Sequence, residues 1–112
     1  MSAVESSGTQ TAVISTEHSL AAPSTAKTRT LTVDLTNMVN DDRLELRVKL
    51  KVLTGGTVRT TLVKISKHDP GGAGSPEIFQ SVPVWMPFGG DFTLKQTAGT
   101  GRDFDWAVAT HD

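Results

Sequence analysis

Apolar and polar residues alternate most strictly over residues 43–52, where Leu44, Leu46, Val48, Leu50 and Val52 are separated by Glu45, Arg47, Lys49 and Lys51. A helix would scatter those five apolar side chains around its circumference, whereas a strand places them all on one side. The segment therefore predicts an antiparallel strand with one face in a core and the other toward solvent or a partner. Residues 30–35 repeat the pattern with Leu31, Val33 and Leu35. Between these two strands, residues 36–42 carry Asn and Asp turn chemistry, with Met38 and Val39 expected to tuck inward at one end of the fold.

Thr54-Gly55-Gly56-Thr57 predicts a tight hairpin, because two glycines allow the positive φ angles of a primed turn. The return strand, 58–66, loses its alternation at Leu62-Val63, which predicts a bulge there or burial on both faces. Residues 67–76 hold three Gly between two Pro and read as a loop. A further strand is expected over 77–84, with Ile78, Gln80, Val82 and Val84 on one face and Pro83 marking an edge. Trp85-Met86-Pro87-Phe88 forms a bulky apolar corner. Phe92 and Leu94 mark the next strand, residues 97–102 a glycine-rich turn, and Phe104, Trp106 and Val108 the last strand. Six strands from residue 29 onward, with turns between them and no helical periodicity, predict an all-β, antiparallel β-sandwich of jelly-roll type over residues 29–112.

Residues 1–28 differ in character. They are dominated by Ser, Thr, Ala and Gln, with one apolar patch at Ala12-Val13-Ile14, and bury too little apolar surface to offset their own ordering. They are expected to be an extended N-terminal arm, either a disordered tail or one that orders only across a neighbouring molecule, with 11–16 added there as a strand.

The chain is cysteine-free, which excludes disulfides and thiolate metal sites. Its N-terminus has neither the basic nor the apolar region of a secretory signal, and its longest apolar runs are far too short to span a bilayer, so a soluble protein made in the cytoplasm is expected. The net charge of −1 conceals a basic middle: residues 43–67 carry +6, residues 1–42 carry −3 and residues 68–112 carry −4. That distribution suits charge pairing within one fold or between copies. The basic row Arg43, Arg47, Lys49 and Lys51 lacks the interleaved aromatics that single-strand nucleic-acid binders use for base stacking, so a solvated or acid-paired face is expected and no nucleic-acid partner.

Catalytic patterns are weak. His18, His68 and His111 lie in the arm, in a loop and near the C-terminus, where nothing nearby completes a zinc set. Asp103 and Asp105 share one strand face, which suits a solvent-facing pair more than an acid–base couple, with Arg102 or a basic strand as partner. Gly99-Thr100-Gly101-Arg102 precedes a strand, whereas a phosphate loop needs a helix after it. No enzyme activity, cofactor, metal, membrane or small-molecule substrate is expected.

Two blocks carry a resemblance. Leu35-Thr36-Asn37-Met38-Val39-Asn40-Asp41-Asp42, running on through Leu44–Lys49 and Lys51–Thr57, and Phe92–Arg102 with Phe104 and Trp106, resemble small, cysteine-free, β-rich virion proteins of aquatic tailed bacteriophages. The resemblance implies a virion structural protein, most plausibly a capsid decoration or cement protein that binds the major capsid protein as a homo-oligomer; the alternative is a tail- or fibre-associated adhesin for a host surface. The subunit interface is expected at Val13, Ile14 and Leu20 in the arm and at Trp85, Met86 and Phe88 in the corner, whose aromatic and Met side chains suit an interface core and equally a cap on the sandwich core.

Overall fold

A computed structural model describes residues 2–38, 42–66 and 78–111. Nine strands run in chain order: β1 (Ser2–Thr11), β2 (Glu17–Ala21), β3 (Lys27–Asp34), β4 (Arg43–Leu50), β5 (Arg59–Ser66), β6 (Ile78–Gln80), β7 (Val84–Met86), β8 (Gly90–Ala98) and β9 (Asp103–His111). They form two antiparallel sheets, and no helix occurs among the described residues. One sheet is ordered β1-β9-β3-β6, with β7 also on β3, and the other β2-β8-β4-β5.

The period-two stripes explain how the sheets meet. Leu31, Val33 and Leu35 from the β3 region, Leu44 and Leu46 of β4, Phe92 and Leu94 of β8, and Phe104 and Val108 of β9 are all buried in one cluster. Alternation thus turns one face of each sheet toward a shared core, as in a β-sandwich. Met38 belongs to that core, as expected of the turn after β3; Val39 and the loop 67–76 lie outside the described residues.

Several local expectations change. The strand predicted at 43–52 ends at Leu50, and Val52 is exposed. The turn that follows has Gly56 N–H donating to the Leu53 carbonyl and a positive φ at Gly55 alone, so it is of type II form and sits within a longer connection. β5 pairs with β4 in unbroken register from Arg59 to Ser66, without the bulge expected at Leu62-Val63, and neither residue is buried. The strand predicted over 77–84 is two strands. Both lie on β3, and between them the Leu31 N–H donates to the Ser81 hydroxyl while Ser81 N–H donates to the Leu31 carbonyl. This break at Ser81–Pro83 shifts the phase by one residue, so Phe79, Val84 and Met86 face the core and Ile78 and Val82 are exposed.

The largest departure concerns residues 1–28. Rather than reaching away, Ser2–Thr11 lies antiparallel on β9 and Glu17–Ala21 on β8, one strand on the edge of each sheet of the same chain. The segment 12–16 is the turn between them, closed by Thr16 N–H donating to the Val13 carbonyl, with Ser15 at φ 65°. Backbone ladders satisfy the polar main chain that the side chains of this segment could not have ordered alone.

Candidate interaction surface

β5 is the outer strand of its sheet, and its inward residues Thr61, Val63 and Ile65 stand opposite Val48, Leu46 and Leu44. Across the core, the matching edge of the other sheet is only three residues of β6 before the break at Ser81. The seam is therefore left partly open. A cleft of about 250 Å³ lies there, lined by Leu31, Leu46, Val48, Val63, Phe79 and Val84 among others. Leu62 and Val63 keep 42% and 38% of their surface exposed, and Val82, which lines the cleft with Val63, is exposed too. A second apolar patch gathers at one end of the fold, where Leu50, Val58 and Phe88 line one shallow pocket. The wall on offer can receive an apolar side chain or a strand from another molecule.

The six residues expected at an interface separate into two groups. Val13, Trp85 and Phe88 are exposed at 58%, 59% and 42%, and Ile14 is half-buried. Leu20 and Met86 are core residues and can reach no partner while the fold is closed. The reason is local: Leu20 is in phase with His18, which stands opposite the buried Leu94, and the phase change at Ser81–Pro83 turns Met86 inward. Trp85 stands opposite Thr28 on the outer side of its sheet.

Two cations on the outer face of β4 are acid-paired. Arg47 bonds Glu45 on its own strand, and the Lys49 ammonium lies 2.6 Å from Glu17 on β2. That ammonium holds the Glu17 carboxyl below its ordinary value. A carboxyl whose folded pKa is lowered stabilises the fold above its unfolded pKa and loses that contribution as pH falls through the folded value. Glu17→Gln is accordingly expected to be less stable than the parent at neutral pH, with the difference vanishing on acidification below the ordinary glutamate range; thermal melts of both chains across pH 2–7 check this.

Asp103 and Asp105 do not pair with Arg102. Each accepts a 2.6 Å hydrogen bond from a β1 hydroxyl, Thr11 and Thr9 respectively, and so fastens the first strand. Arg102 instead bonds Asp42, 3.0 Å away. The turn 97–102 is held by the buried Gln96 amide, which donates to the Ala98 and Thr100 carbonyls and accepts from Arg102 N–H. His18 Nε2 accepts from Val13 N–H, and His111 bonds Thr30; His68 lies outside the described residues. No three His, Asp or Glu side chains come together as a metal set among the described residues. No described helix is long and apolar enough to cross a membrane.

One charged group was missed. Arg29, fully buried, is gripped by Glu5 at 2.7 and 3.0 Å and by the carbonyl and hydroxyl of Thr25, both at 2.8 Å. The register shift between Val4 and Ser6 makes Glu5 the extra residue of a bulge on β1. The signal was present in the sequence: Arg29 is in phase with Leu31, Val33 and Leu35, so the alternation that buries them buries it too. No protein-family model, curated protein or solved structure matches this chain.

Proposed function

We propose that this chain is a structural protein of a tailed-phage virion, a capsid decoration or cement protein that binds the major capsid protein and its own copies. The observation that carries the reading is the exposed apolar surface along β5 and its seam, joined by Trp85 and Phe88 elsewhere on the molecule. Exposed apolar groups set among polar neighbours are what subunit contacts use. The strand order adds support. The order β1-β9-β3-β6 in one sheet and β2-β8-β4-β5 in the other brings the late strands β8 and β9 between early ones in both, which supports a jelly-roll reading, a fold found in viral capsid and lectin domains. Fold alone does not choose between those roles; the resemblance of residues 35–57 and 92–106 favours the virion.

Mixed at micromolar concentration with shells that lack it, the protein is expected to co-sediment. Trp85→Ala and Phe88→Ala, both at exposed positions, should weaken that attachment while changing stability by no more than about 0.5 kcal/mol. Binding to host-surface glycans with no binding to shells would replace this reading with an adhesin.

A further inference from the structure

We propose that two copies of this chain join edge to edge along β5, about a two-fold axis at Leu62, merging their four-stranded sheets into one of eight. The proposal rests on the assembly reading above and names its first contact.

The argument begins with the edges. An exposed sheet edge invites pairing unless it is short, bulged, broken by proline or covered. β1 carries a bulge at Glu5, β2 has five residues and a register shift, and β6 and β7 are separated by Ser81–Pro83. β5 has none of these devices, although Arg59 and Lys64 place charge along it. Its eight residues, Arg-Thr-Thr-Leu-Val-Lys-Ile-Ser, contain neither Pro nor Gly, run in unbroken register with β4, and meet no strand on their outer side among the described residues. The two apolar residues at its middle are both part-exposed, Leu62 on the outer face and Val63 at the open seam.

Self-pairing also fits the side chains. In a continued antiparallel sheet, core-facing residues must oppose core-facing residues. Centring the axis on Leu62 sets Leu62 against itself, Thr61 against Val63, Thr60 against Lys64 and Arg59 against Ile65, so no two cations face each other. The two Lys64 residues are then offset by about 13 Å along the strands; an axis at Val63 would bring that offset to about 7 Å. An axis at Thr61 pairs fewer residues of β5. Like charges close across strands destabilise a sheet, which selects the Leu62 register.

Because the chain has no cysteine, one introduced thiol reports the register cleanly. Leu62→Cys in the full chain is expected to form a disulfide dimer rapidly on mild oxidation, since its two thiols meet at the axis, whereas Lys64→Cys should cross-link slowly. Sedimentation of the unmodified protein should show a dimer, and Leu62→Lys, at a part-exposed site, should weaken it by about tenfold or more without unfolding. A protein that stays monomeric at high micromolar concentration, or equal cross-linking at the two positions, overturns the proposal. Shell binding by such a monomer would leave the virion reading standing while removing this contact; a dimer that ignores shells would do the reverse.

Discussion

Glu5→Gln is expected to lower the stability of the chain by about 3 kcal/mol, a fall in Tm of about 12 °C. The cause is what the substitution leaves behind. Arg29 is fully buried and cannot lose its charge, and Glu5 is the carboxylate that grips it at two atoms. Removing one partner of a buried pair strands the other in a medium of low dielectric, at a cost of about 3–5 kcal/mol. The lower figure applies because the Glu5 side chain is 28% exposed and Thr25 still offers two acceptors. The same account requires that Glu5→Gln cost little once Arg29 has become Met, since no buried cation then remains. A thermodynamic cycle of the two substitutions, followed by denaturant unfolding, measures this directly. Deleting residues 1–11 should destabilise at least as strongly, whereas an arm lying free of the fold would be lost without consequence.

Gly89→Ala is expected to cost about 2–4 kcal/mol. Gly89 has φ 72°, a backbone state that L side chains enter only with strain. A Cβ there would also lie 2.1 Å from the Pro23 carbonyl oxygen and 2.7 Å from Ser24 Cα, so main chain would have to move. The segment displaced continues to Thr25, which bonds Arg29. The two sites are therefore coupled, and combining Gly89→Ala with Glu5→Gln should cost something other than the sum of the single effects. Equilibrium unfolding of the three variants checks both the size and the coupling.

What could be read from the sequence, and what could not, follows from where each strand's stabilisation comes from. β3, β4, β8 and β9 bury alternate apolar side chains, so their identity is written in adjacent residues such as Leu44 and Leu46 or Phe92 and Leu94. β1 buries no such stripe. It is held by its ladder to β9, by the Thr9–Asp105 and Thr11–Asp103 bonds and by Glu5 on Arg29, contacts whose partners lie 24 or more positions apart along the chain. No local window contains them. The phase of β6 and β7 was hidden in another way, because the Ser81 hydroxyl stands in for a ladder partner and moves every later side chain to the other face. The apolar corner was legible, and Trp85 and Phe88 are exposed there, whereas Met86, expected beside them, is buried. At Leu62-Val63 the broken alternation was visible, but its cause, an edge strand facing an incomplete seam, depends on the opposite sheet.

Hydrogen exchange on the full chain, compared at low and high protein concentration, tests these assignments together. The amides of residues 2–11 that bond β9 should be protected at both concentrations, while the amides of residues 59–66 that point away from β4 should gain protection only as the concentration rises. Free exchange throughout 2–11, or concentration-dependent protection there with none at 59–66, would contradict the fold assigned to the first strand and the edge assigned to assembly.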